Sequence, residues 1–165
     1  MELSTTAIFW KRTCSQLPAG DYVDWAGEML VQGHDSYSLR ILAGLERLAS
    51  TFEAEDYFLR SAKELGLSIP DTETAARAYA CEVAQHILDG RVTGQEGVRE
   101  LYRVCLATEY DPAYLIWLEL DDALDSLLSG EYAYTYQSAT LENFDEVARR
   151  EAEKFIVEMC GTGAT

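Results

Sequence analysis

The chain has 165 residues, with 29 acids against 13 Lys and Arg, 48% hydrophobic residues and three prolines. That length suits one domain burying roughly two-thirds of its unfolded surface, and the mix of apolar and charged residues argues against intrinsic disorder. A net charge of −16 argues against a protein built to grip phosphate backbones. No stretch approaches the ~18 consecutive apolar residues of a membrane span, and the start, MELSTTAIFWKRTC, lacks the basic-then-apolar layout of a signal peptide. The expectation is a cytoplasmic protein with no membrane and no nucleic-acid partner.

Helical periodicity runs from end to end. A first helix is expected over about Glu2 to Gln16, bounded by Pro18 and Gly20. In DYVDWAGEMLVQ, Tyr22, Trp25, Ala26, Met29 and Leu30 fall at helical spacing, and Gly33 can end the helix in a left-handed conformation. Asp35 or Ser36 then caps a short helix through LRILAGLERL. Ser50 and Glu53 have capping-box spacing ahead of FEAEDYFLRSAKEL, which Gly66 closes. Asp71 caps a long helix from Thr72 to about Asp89, with Ala76, Tyr79, Ala80, Val83 and Ile87 as its apolar stripe, and Gly90 ends it. Thr93 and Glu96 form a second capping box, opening a helix with Val98, Leu101, Tyr102 and Cys105 on one side. Asp111-Pro112 starts the next helix, which runs through AYLIWLELDDALDSLL to Gly130. After a Tyr-rich connection, Thr140 or Ser138 caps a last helix carrying Phe144, Val147, Ala148, Phe155, Ile156 and Met159, ended by Gly161. Strand-like alternation is confined to YAYTY. The predicted architecture is all-α: a single domain over residues 1–165, about eight helices in an irregular array, fraying at 1–4 and 161–165.

Few residues carry recognisable chemistry. Cys14, Cys81, Cys105 and Cys160 form no CxxC pair, and without a signal peptide they are expected to be reduced, mostly buried thiols. His34 and His86 lack metal-ligand spacing, and His86 falls four residues after Glu82 in a last helical turn, where the helix dipole favours it. The glycines of DGRVTGQEG match neither GxGxxG nor GK[ST], so helix stop and capping box account for them without a phosphate. No cofactor and no resident metal are expected.

LDDALD places Asp121, Asp122 and Asp125 in a DDxxD pattern, a spacing that can hold Mg²⁺ bridged to a substrate phosphate. Winding the helix at about 100° per residue puts Ala113, Ile116, Trp117, Leu120, Ala123, Leu124, Leu127 and Leu128 on the core side. Tyr114, Leu118, Asp121, Asp122 and Asp125 fall opposite. An aromatic and aliphatic pair ringed by carboxylates is closer to a binding patch than to a metal cage.

Charge is distributed the same way. Residues 1–50 carry net −2, residues 51–110 carry −5 and residues 111–165 carry −9. Between Arg103 and Arg149 there are ten acids, no Lys or Arg, and Tyr110, Tyr114, Tyr132, Tyr134 and Tyr136. Carboxylates at this density repel one another and steer cationic partners inward, and tyrosine supplies contact area with few rotatable bonds.

The fragments WAGEMLVQGHDSYSLRILAGL, EDYFLRSAKELGL, ILDGRVTGQEGVRELYRVCLATEY and LDDALDSLLSG resemble a family of small, acidic, all-helical bacterial proteins of unknown function. The resemblance implies a bacterial, cytoplasmic, helical protein and carries no active-site residues. The functional expectation is a non-enzymatic module that engages a basic protein partner through Tyr114, Leu118, Asp121, Asp122 and Asp125, in an immunity- or antitoxin-like role. One alternative is a divalent-metal-dependent hydrolase using Asp121, Asp122 and Asp125. The other is a helical scaffold that homodimerises through the Leu118 face.

Overall fold

The computed structural model describes residues 4–14 and 17–161. Among them are eight α-helices and no strand, so the chain is all-α, as its periodicity requires. Its contacts group into two compact units, residues 2–75 and 76–165, each taken in turn.

The first unit comprises α1 (Thr5–Thr13), α2 (Ala19–Val31), α3 (Tyr37–Ala43) and α4 (Thr51–Glu64). Residues 2, 3, 15 and 16, where the first helix was expected to begin and end, lie outside the described residues. Trp25, Tyr22, Leu39, Leu42 and Phe58 are fully buried and form the core, the Trp25 and Phe58 rings meeting edge to face at 4.9 Å. Burial of each such side chain contributes about 1.5–3 kcal/mol. Thr5 accepts a hydrogen bond from Trp25 Nε1 at 3.0 Å, which satisfies the one polar atom of that ring. Glu64 accepts from both the backbone and the hydroxyl of Ser38, tying the end of α4 to the start of α3. Two expectations fail here. The third helix stops at Gly44 rather than Leu48, and Ser50 makes no side-chain capping bond, so its spacing from Glu53 is not a capping box.

The second unit takes most of α5 (Thr72–Leu88), then α6 (Gly94–Ala107), α7 (Leu115–Leu128) and α8 (Phe144–Phe155). Asp71 caps α5 by accepting from the Thr74 amide at 2.7 Å. At α6 the predicted capping box is formed: Thr93 accepts from the Glu96 amide while Glu96 accepts from the Thr93 amide. Gly90 and Gly130 sit at φ +68° and +76°, where a side chain would be strained, and they end α5 and α7 as expected. Asp111-Pro112 opens a 3₁₀ turn, Pro112–Tyr114, ahead of α7 rather than its first α-turn. α8 begins at Phe144, after Thr140 and Asn143 exchange hydrogen bonds. It ends in a π-turn, Ile156–Cys160. The YAYTY connection has no strand, and the fraying expected at 1–4 and 161–165 falls mostly on residues outside those described.

The cysteines are not all reduced thiols. Cys81 of α5 and Cys160 of the π-turn form a disulfide, their Cα atoms 6.1 Å apart across 79 residues of sequence. Cys14 and Cys105 are free, and Cys105 is fully buried. With no CxxC spacing, the sequence offered no sign of a pair that only the tertiary fold brings together.

Candidate functional site

α6 and α7 pack side by side in the second unit, and the aspartates of α7 meet α6 through Arg99. Arg99 Nη1 donates to Asp121 at 2.9 Å and Nη2 donates to Asp125 at 2.5 Å. Asp121 is 3% exposed, so the expectation that it faces solvent is overturned. Its helical position borders the α6 contact, and a cation there makes burial tolerable. Burial pushes its carboxyl up and Arg99 pulls it down, with a net rise above the ordinary value. Asp125 is exposed but committed to Arg99. Asp122 is exposed and points elsewhere.

Tyr114 is a second correction. It is 3% exposed, with its ring 6.0 Å from Phe155, and so belongs to the core rather than to a surface patch. The 3₁₀ turn at Pro112–Tyr114 changes the rotation per residue, and a wheel drawn at constant angle misplaces the residues ahead of α7. Leu118 is half-buried. On the expected core side, Leu128 is 56% exposed, while Trp117, Leu120, Ala123 and Leu124 are buried as predicted. Asp121, Asp122 and Asp125 therefore do not converge, and no group of three or more metal-ligating side chains occurs among the described residues.

Besides Asp125 and Leu128, α7 turns Leu115, Glu119 and Asp122 outward, a stripe that half-buried Ser126 continues, spaced four, three and four residues apart along one face. The Tyr-rich connection lies against it, Thr135 Oγ1 donating to the Glu119 carbonyl at 2.8 Å. Tyr132 and Tyr134 are 53% and 74% exposed and pack edge to face at 5.3 Å. Tyr136 instead turns inward and donates to Glu151 at 2.7 Å, and Glu151 also accepts from Lys154 at 2.8 Å. Burial pushes the Glu151 carboxyl up, but these hydrogen bonds outweigh it and hold the carboxyl below its ordinary value.

At the other end of the stripe, the α6–α7 turn holds Glu109 and Tyr110 at φ 54° and 62°. Two consecutive non-glycine residues in the left-handed region are costly. The turn leaves Tyr110 53% exposed. Burial, followed by the charges of Asp121, Tyr110 and Asp122, raises the phenol pKa of Tyr102 on the adjoining face of α6. Glu109, Glu119, Asp122, Glu131, Glu142 and Glu146 make no ion pair among the described residues.

Sequence reasoning missed Arg99, whose role depends on how α6 rotates against α7. It also missed the Glu109–Tyr110 turn, although a signal was present. The ends of α5 and α7 carry glycine, whereas TEYD between Ala107 and Pro112 has none.

Comparison with protein-family models, curated proteins and solved structures returns no match. The likeness of its fragments to small bacterial helical proteins gains no support from these comparisons. No helix among the described residues is long and apolar enough to cross a membrane.

Proposed function

We propose that the protein is a non-enzymatic binding module whose acidic, tyrosine-bearing face on the 76–165 unit engages a basic protein partner. The observation that carries this reading is the α7 stripe of unpaired carboxylates, Glu119 and Asp122, beside the exposed Tyr132–Tyr134 pair. Carboxylates without cations repel one another at a cost that a cationic partner removes, and exposed tyrosine rings add cation–π and apolar contact. The contact set moves from the one expected from sequence. Asp122 and the edge of Leu118 stay in it, Asp125 contributes through its exposed edge, and Tyr114 and Asp121 support the face from within. An immunity- or antitoxin-like role, a bacterial source and a cytoplasmic location belong to the same reading. In that compartment thiol reductants would act on the Cys81–Cys160 bond.

The test is capture from lysate at low salt with stepped salt elution, comparing the native chain with Glu119→Lys plus Asp122→Lys. Both positions are exposed and unpaired, so the double variant keeps the fold. A basic protein retained by the native chain, released by salt and lost from the variant supports the module. Equal capture by both chains overturns the site.

A further inference from the structure

We propose that Cys81–Cys160 is a reversible thiol–disulfide site that fastens and frees the C-terminal turn of the 76–165 unit, its reaction partner being a dithiol such as a reduced protein CxxC centre. The bond joins the middle of α5 to the end of the π-turn Ile156–Cys160. Both cysteines are half-buried, so an attacking thiolate can reach a sulfur without opening the core. The turn itself buries no residue, and Val157 within it is 75% exposed. Immediately before it, Phe155 is buried against Trp117 at 5.5 Å. Full burial therefore ends at Phe155: residues 156–160 prolong α8 as a π-turn in which Ile156, Met159 and Cys160 are only half-buried, and the bond pins that turn to α5. A segment with so little burial opens locally once released, without unfolding its unit.

The remaining cysteine of the unit does not compete for the bond. Cys105 is fully buried, and burial followed by the charge of Asp111 pushes its thiol up, which leaves little thiolate for exchange.

The exchange balances as follows. A thiolate of the dithiol attacks one sulfur and the Cys81–Cys160 bond breaks. The departing cysteine takes up a proton, and a mixed disulfide joins the reagent to the other cysteine. The second thiol of the reagent then displaces that cysteine, which leaves as a thiol. Two electrons and two protons have passed from the dithiol, now a disulfide, to Cys81 and Cys160. A disulfide oxidant runs the sequence backwards.

The full chain is to be equilibrated without denaturant in dithiothreitol buffers of graded redox potential, then alkylated and mapped by mass spectrometry, with amide exchange followed in parallel. The expected result is one two-electron transition confined to Cys81 and Cys160. On reduction, exchange at 156–161 should accelerate by about tenfold or more while α6 and α7 stay protected and the helical circular dichroism is kept. Cys160→Ser should show the fast-exchanging turn at every potential, and Cys105→Ser should leave the transition unmoved. Four alkylated thiols under all conditions, a different pairing, or a bond that resists dithiothreitol in the folded chain overturns the proposal. Loss of protection throughout α5–α8 on reduction also overturns it, because the bond would then be a staple for the whole unit rather than a fastening for one turn.

Discussion

Arg99 carries the charge balance of the α6–α7 contact. The raised pKa of Asp121 means that ionising it costs the fold. Its share of stability is complete below the ordinary value of 3.8 and declines as pH rises through the raised one. Removing Arg99 leaves that carboxyl buried without a cation and raises its pKa further. Arg99→Met is expected to cost about 2 kcal/mol at pH 7 and clearly less at pH 4, where Asp121 takes up a proton. Urea melts at the two pH values check this, and an equal loss at both would contradict the assignment. At Glu109 the strain is in the backbone. Glu109→Gly relieves a left-handed φ of 54° and is expected to be neutral or stabilising by up to about 1 kcal/mol, whereas an ordinary helix-end glutamate would gain nothing. Thermal melts decide it. The sequence showed Asp121 as one of three equivalent acids, because a helical wheel has no knowledge of which neighbour brings a cation.

Among the elements, α8 lies hard against α6 at Gly94. A Cβ built there would lie 2.8 Å from the Cα of Asp145 and 2.8 Å from the Cβ of Ala148. Backbone on the far side cannot yield as a side chain can, so Gly94→Ala should destabilise the unit by about 2 kcal/mol despite the better helix propensity of alanine. Chemical denaturation measures it, and a stabilised variant would refute this packing. Asp145 also accepts from the Gly94 amide at 2.7 Å, so α8 supplies part of the cap of α6. The sequence revealed the Thr93–Glu96 half of that cap because it is local. It was silent on Asp145, which is 51 residues away. The same division runs through the chain: helix starts and glycine stops are local and legible, whereas Arg99–Asp121, Tyr136–Glu151 and Cys81–Cys160 are tertiary and are not. Two local features are exceptions: Ser50, a pattern without its hydrogen bond, and Gly44, a glycine stop inside an apolar run that was expected to continue α3.

Across the whole molecule, residues 76–165 hold seventeen of the acids against seven Lys and Arg. Capture of a basic partner on this unit should therefore weaken steeply with salt, the Debye length falling from about 30 Å at 0.01 M to about 8 Å at 0.15 M. Binding titrations at several ionic strengths check it, and salt-independent binding would assign the affinity to the tyrosines alone. The disulfide has a further, mechanical consequence. It closes a ring, with a sequence separation of 79 between its cysteines, that contains α6, α7 and α8. A chain pulled from its two ends, or drawn into the narrow pore of an unfolding motor, transmits the load straight from Cys81 to Cys160. The helices inside the ring feel no tension along their backbone. Cutting the bond would lengthen the fully stretched chain by roughly 270 Å, a step that single-molecule extension resolves. While oxidised, the protein must enter such a pore as a doubled strand, so the redox state of one bond decides whether the unit can be threaded as a single chain.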